Sequence, residues 1–222
     1  MRKIIAILAI AMMTASGATA QEYRYEVGAA LGVSGYIGDV NDGNMYTQPG
    51  IAGGGIFRYN MNSRFAVKAN LLYVGLSGDS KHVDRKFPNN GHYEFKSSVI
   101  DLGGQAEFNF LNFGMGARYK NYKRISPYMV AGVGATMAFV DGQTNFTFNI
   151  PLGAGVKYRV KDRLNLGFEF TMHKEFGDKI DGLSDLNGVK HGFGKNTDWY
   201  SVAMFTVTFE FGKRCVKCHY VE

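Results

Sequence analysis

The chain of 222 residues is 45% hydrophobic and 14% aromatic, contains 29 glycines and carries a formal net charge of +6. So many glycines rule against a mainly helical protein, because each glycine inside a helix costs about 1 kcal/mol. The mild basicity does not indicate a nucleic-acid partner.

Residues 1–20 have the pattern of a secretory signal. Arg2 and Lys3 precede an apolar stretch at residues 4–13, and small residues end at Ala20. We expect cleavage before Gln21. The small and polar residues at 14–19 leave the apolar stretch shorter than the about 20 residues that a transmembrane helix needs. The mature chain therefore begins without a helical anchor.

Every second residue is apolar at 145–158, 164–173 and 201–211. This period of two indicates strands with one apolar face. A soluble sandwich alternates in the same way, but the secretory signal and the aromatic residues at strand ends favour strands that face lipid. We predict eight strands, at residues 22–37, 50–60, 65–76, 94–110, 126–139, 145–158, 164–173 and 198–211.

An even number of strands, each as long as the about 9 residues that cross a bilayer, predicts a closed barrel. An open sheet would leave backbone groups unpaired in lipid. The predicted fold class is all-β, an eight-stranded antiparallel up-and-down transmembrane β-barrel in contact with outer-membrane lipid. Residues 21–212 form this barrel, between the signal at 1–20 and a C-terminal tail at 213–222.

The lengths of the connections predict the orientation of the barrel. Residues 60–64 and 159–163 are tight turns, whereas 38–49, 77–93 and 174–197 are long, and 141–144 is a short connection on the same side as the long ones. Outer-membrane barrels keep short turns in the periplasm and longer loops outside. We therefore expect both termini in the periplasm.

One connection on the periplasmic side, residues 111–125, is unusually long. It carries Arg118, Lys120, Lys123 and Arg124. Such charge clusters are commonly only solvated. The length nevertheless makes this segment a candidate docking surface for a periplasmic partner.

The inward faces of the strands are predicted to carry charge. An eight-stranded barrel has room for its own side chains or one small ligand. Buried ions must pair, because an isolated one costs several kcal/mol. We expect an ionic plug, with a proton or small-solute path along it as the alternative. The alternation assigns to the lumen Arg24, Glu26, Arg58, Lys68, Asp101, Glu107, Lys157, Glu169, His173 and Glu210, alongside Asn70, Gln105, Asn109 and Asn165.

Enzymes that modify lipid A also use eight-stranded barrels, and they need a nucleophile or base with an orienting partner at the outer rim. His173 and Glu175 lie on the predicted outer side, as do Ser77, Ser80 and His82. Nothing else links these residues. We therefore predict no enzyme activity, no catalytic residue and no small-molecule substrate.

The tail contains Cys215, Cys218 and His219 with the spacing of a c-type haem attachment site. The expected periplasmic location fits this chemistry, but only three residues follow His219, and nothing there buries a macrocycle or offers a second axial ligand. A local disulfide or two free thiols remain the simpler interpretations. We predict no cofactor and no metal.

Six runs resemble the PorG-like family of Bacteroidetes outer-membrane β-barrels: YIGDVN at 36–41, FRYN at 57–60, FPNN at 87–90, IDLGGQ at 100–105, ISPY at 125–128 and KNTDWYS at 195–201. The resemblance spans about residues 22–212. It implies a small barrel and a part in type IX protein secretion, in which the member that names the family associates with a periplasmic ring of a lipoprotein and its partner subunit. It implies no catalytic residues.

Two functional hypotheses follow. In the first, the barrel anchors a periplasmic assembly, such as that lipoprotein ring, through residues 111–125 and the tail. In the second, it is a small surface or transport barrel that acts through the outer loops, such as residues 174–197, or through its lumen.

Overall fold

The computed structural model describes residues 23–37, 49–79, 94–113, 123–140, 143–176 and 199–213. The predicted signal at 1–20, the longest connections and the cysteines of the tail lie outside this part of the chain. The strands are β1 (Tyr23–Ile37), β2 (Gly50–Asn60), β3 (Phe65–Asp79), β4 (Glu94–Asn109), β5 (Ile125–Val140), β6 (Gln143–Lys161), β7 (Leu164–Glu175) and β8 (Trp199–Lys213).

The eight strands form one closed barrel in chain order. Each strand pairs antiparallel with the next, and β8 closes the barrel against β1 from Lys213, opposite Tyr23, to Trp199, opposite Ile37. The predicted fold class, an eight-stranded antiparallel up-and-down barrel, is confirmed. Within the described ranges, no helix is long and apolar enough to cross a membrane.

Residues 61–64 and 162–163 connect strands at one end of the barrel, which we call the turn end, where β1 begins and β8 finishes. The opposite end is called the loop end. Every predicted strand boundary lies within about three residues of the observed one. Two extensions matter for the lumen, because β6 continues through Arg159 to Lys161 and β7 continues to Glu175.

The outer surface of the barrel is apolar. Leu31 and Phe205 are each 69% exposed and Ile51 is 76% exposed, although all three are large hydrophobic residues. At the turn end, the Tyr25 ring lies 6.0 Å from the Phe57 ring and 5.6 Å from the Phe211 ring. An apolar band with aromatic residues at its margin is the surface that lipid-embedded barrels present.

The lumen is divided into two halves, although a polar lumen was expected throughout. The turn-end half is ionic, while much of the loop-end half is filled by a hydrophobic cluster. In β3 both faces are apolar, since Leu71 and Tyr73 are exposed and Leu72 and Val74 are buried. The apolar cluster comprises Ala30, Tyr36, Ala52, Ile56, Leu72, Val74, Leu76, Val99, Ala138, Tyr200, Val202 and Met204.

Candidate functional site

Arg58 is the centre of the ionic half of the lumen. Its Nη1 lies 2.7 Å from Glu26 Oε1, and its Nε lies 2.9 Å from Glu107 Oε2. The second contact is an ion pair that lacks hydrogen-bond geometry. Arg58 faces Glu26 on β1 and Lys68 on β3 in the strand register, so alternate residues of three neighbouring strands bring these charges together.

Three further cations pair with carboxylates in the same half. Lys68 Nζ donates to both carboxylate oxygens of Glu169 at 2.6 Å. Lys157 pairs with Glu107, and Arg159 with Glu210. All of these side chains are buried. The ionic cluster therefore balances four cations against four carboxylates, and consists of Glu26, Arg58, Lys68, Glu107, Lys157, Arg159, Glu169 and Glu210.

Neutral side chains add hydrogen bonds to carboxylate oxygens that already contact a cation of the ionic cluster. The Tyr128 hydroxyl donates to Glu169 Oε2 at 2.8 Å, and Asn165 Nδ2 donates to Glu210 Oε1 at 2.8 Å. Thr208 donates to Glu26. Buried ions tolerate a low dielectric when they are paired and hydrogen-bonded in this way. The arrangement suits a rigid plug.

Three placements in the lumen differ from the expectation. Arg24 is exposed at the first residues of β1, so the assignment of Arg24 to the lumen network is corrected. Asp101 is buried but lies apart from the four cations, in a second polar group near the loop end. Arg159 was placed in a turn from the sequence, yet it belongs to β6, with the same inward parity as Lys157. The apolar residues Tyr158 and Val160 on either side of Arg159 continue the alternation in the sequence, and both are exposed in the structure. This alternation was the signal that could have placed Arg159 in the lumen.

The second polar group surrounds Asp101 and is fully buried. The Tyr200 hydroxyl donates to Asp101 Oδ2 at 3.0 Å and lies 3.0 Å from His173 Nδ1. The His173 and Tyr200 rings stack with centroids 4.4 Å apart. His173 Nε2 lies 3.2 Å from the Thr171 hydroxyl. His173 lies inside the barrel, as the alternation predicted, and Glu175, which was expected in the outer connection, is enclosed with it.

Asn149 and Thr136 complete this group. Asn149 Nδ2 donates to Asp101 and, at 2.6 Å, to the Thr136 hydroxyl oxygen. That hydroxyl lies 3.3 Å from Asp101 Oδ2 and 2.8 Å from Glu175 Oε1, so its one proton serves one of two carboxylates. The group connects β4, β5, β6, β7 and β8 inside the barrel.

Phe113, at the start of the long connection between β4 and β5, lies against the ionic cluster at the turn end. Phe113 forms a bridge with Lys123, and its amide donates to Ser63 O at 3.2 Å. The Phe113 ring lies 5.0 Å from Lys157 Nζ and 5.0 Å from Arg159 Cζ. These contacts attach the start of the connection, at Phe113, to the cations of the ionic cluster.

Two more contacts hold the same part of the connection, at Asn112. Arg64 Nε donates to Asn112 Oδ1 at 2.9 Å, and the amide of Lys123 donates to Asn112 O at 2.8 Å. Lys123 and Arg124 are exposed beside this anchored part of the connection. The other two predicted docking residues, Arg118 and Lys120, lie outside the described residues.

Comparisons with known proteins agree with the fold. A family model described as a domain of unknown function (DUF6089) matches residues 2–220. Neisserial surface protein A (NspA) has a similar solved structure, with a TM-score of 0.53 and 14% identity over 84% of this chain and 97% of that one. OprG from Pseudomonas aeruginosa gives a TM-score of 0.50 and 12% identity over 86% of this chain and 97% of that one. No curated protein matches. These likenesses show the outer-membrane β-barrel fold.

Proposed function

The chain belongs to the DUF6089 family, and we propose that it is a non-enzymatic outer-membrane β-barrel that anchors a periplasmic assembly. Its turn end would face the periplasm, with both termini there. More specifically, we propose that the protein has the role of a PorG-like barrel in type IX protein secretion and that its partner is a ring-forming lipoprotein complex. The resemblance of six sequence runs to the PorG-like family supports this version.

The proposal rests on the anchored basic segment, which is the connection at residues 111–125 with its attachment to the barrel at Asn112 and Phe113. Lys123 and Arg124 are exposed, while the neighbouring Asn112 and Phe113 are fixed to the barrel by hydrogen bonds and by ring contacts with lumen cations. The backbone of Lys123 and Arg124 is held by hydrogen bonds to Asn112 and Arg159, and residues that are already ordered lose less conformational entropy when a partner binds. A cluster of exposed cations favours a partner surface with acidic side chains.

The connection lengths support the orientation. At the turn end, β2 and β3 are joined by residues 61–64 and β6 and β7 by residues 162–163. At the loop end, residues 38–49, 80–93 and 176–198 separate successive strands. Short turns on the periplasmic side are the rule for barrels of this kind.

The filled lumen supports anchoring over transport. The ionic cluster occupies the turn-end half, and Phe113 lies against two of its cations. The loop-end half contains the apolar cluster beside the Asp101 group. An eight-stranded barrel whose inward side chains fill it in this manner has little room for a diffusing solute.

The first test is an affinity purification of the tagged protein from its native outer membrane in mild detergent. A variant with Ala at Arg118, Lys120, Lys123 and Arg124 is compared with wild type. We expect about tenfold less partner or a larger loss, since each exposed ion pair contributes up to about 1 kcal/mol. A control, Arg24→Ala with Lys161→Ala, removes two exposed cations outside the segment.

The control should retain the partner, and all three proteins should keep the same heat-modified mobility of a folded barrel in gel electrophoresis. Recovery of a lone barrel from wild-type membranes would contradict the anchoring role. Equal recovery of the partner with the four-fold variant would remove the basic segment from the interface.

A further inference from the structure

Asp101 has a different environment from the carboxylates of the ionic cluster. The four buried cations Arg58, Lys68, Lys157 and Arg159 pair with glutamates. The ion-pair contact that the described residues give Asp101 is His173 Nδ1, 3.8 Å from Oδ2. Asp101 is completely buried. Among the described residues, its negative charge therefore lacks the Lys or Arg partner that each glutamate of the cluster has.

The two carboxylate oxygens of Asp101 also differ in their hydrogen-bond donors. Oδ2 accepts from Tyr200 and Asn149 and lies near the Thr136 hydroxyl. No donor from the described part of the chain reaches Oδ1. The amide oxygens of Asn149 and Asn70 are likewise buried without a donor from these residues. A buried acceptor that nothing complements destabilises the fold, because it loses its hydrogen bonds to water and gains none in return.

These amide oxygens lie above a floor made of two glycines. Asn70 on β3 faces Gly103 on β4, Gly103 faces Gly134 on β5, and Gly134 faces Asn149 on β6. Asn70 Oδ1 is 2.6 Å from the position that a Cβ on Gly103 would take, and Asn149 Oδ1 is 2.5 Å from the same position on Gly134. The missing side chains leave the space that the two oxygens occupy.

The orientation of the Asn149 amide follows from its neighbours. Its Nδ2 donates to the Asp101 carboxylate and to Thr136. The flipped amide would place an acceptor oxygen against a carboxylate, which cannot donate to it. Asn149 Oδ1 is therefore the free oxygen. Asp101 precedes Gly103 by two residues and shares its inward face, which adds a carboxylate beside the glycine floor.

We propose that the lumen binds one hard, oxygen-seeking cation of the Ca²⁺ or Na⁺ type through Asp101 Oδ1, Asn70 Oδ1 and Asn149 Oδ1. Hard cations take carboxylate and amide oxygens as ligands, with water filling the remaining positions. The proposed site has no thiolate or imidazole ligand. Among the described residues, no three His, Cys, Asp or Glu side chains are placed to hold a metal. The cation neutralises Asp101 and joins β3, β4 and β6.

The test is isothermal titration of the purified full-length protein in detergent after chelator treatment. CaCl₂, MgCl₂, NaCl and KCl are compared, with choline chloride holding the ionic strength constant. We expect saturable binding of one cation per barrel. Saturation by Ca²⁺ alone or by Na⁺ identifies the ion. No saturable binding of any of the four salts to wild type would overturn the proposal.

Three variants locate the site. Asp101→Asn should weaken binding by about tenfold or more, because it removes the one carboxylate and affinity depends on ligand charge. Gly103→Ala places a methyl group on Asn70 Oδ1 and should also weaken binding. The matched control is Gly104→Ala on the outer face, where a Cβ meets nothing within 4 Å.

Binding that is unchanged in Asp101→Asn would overturn the proposal, as would equal affinities of Gly103→Ala and Gly104→Ala. If Asp101→Asn does not fold, the wild-type titration and the glycine pair still decide. The glycine variants leave every charge in place, so a difference between them reports the geometry of the floor. These outcomes are independent of any partner protein, so they separate this site from the anchoring role.

Discussion

Phe205→Arg is expected to lower the free energy of unfolding by about 2–4 kcal/mol, the cost of an arginine on the lipid face near the bilayer midplane. Phe205 lies near the middle of β8 and is 69% exposed on the apolar surface. Leu166→Arg should cost less, because Leu166 is close to the start of β7 and this penalty falls toward the interface.

The measurement is urea unfolding of the barrel reconstituted in lipid vesicles, followed by the fluorescence of Trp199, the one tryptophan of the chain. Met61→Arg provides the control, since Met61 is similarly exposed but lies in the turn between β2 and β3. If Phe205→Arg were no more destabilising than Met61→Arg, the outer surface of β8 would not face lipid.

Arg58→Met is expected to cost about 3–5 kcal/mol of stability, the usual effect of removing one partner of a buried ion pair. Arg58 is 1% exposed and is shared by Glu26 and Glu107. Without the guanidinium, two carboxylates face each other in the lumen with less compensation. The urea unfolding assay in vesicles measures the loss.

A double variant separates lost packing from uncompensated charge. Arg58→Met combined with Glu26→Gln leaves Glu107 paired with Lys157 and balances three cations against three carboxylates, so it should recover much of the stability. Lys161→Met, at an exposed position, is the control and should change stability by less than about 0.5 kcal/mol. A wild-type unfolding curve for Arg58→Met would contradict the role of the ionic cluster.

The barrel could be predicted from the sequence because alternation reports directly which face of a strand meets lipid. In β6, Phe146, Phe148 and Leu152 are exposed as the pattern requires, and Lys157 is buried. Strand ends are less certain, because a turn-like sequence can continue the ladder. That ambiguity placed Arg159 and Glu175 outside the lumen.

Contacts inside the lumen could not be predicted in the same way. Lys68 and Glu169 pair across 101 residues of sequence, and their meeting depends on the stagger of all the strands between them. Asp101 was grouped with the other charges by parity alone, which does not distinguish the two ends of the barrel. The inward leucine and valine side chains of β3 were missed because the prediction considered only charged and polar residues for the lumen. A narrow barrel also needs apolar side chains to fill its interior.

Photocrosslinking in cells identifies the proteins that lie beside each end of the barrel. A photoreactive amino acid is placed at Lys123, on the anchored basic segment, and for comparison at Lys174, near the loop end of β7. The anchoring account predicts adducts with periplasmic proteins from position 123 and none from position 174. Periplasmic adducts from position 174, with none from position 123, would contradict both the orientation and the docking surface.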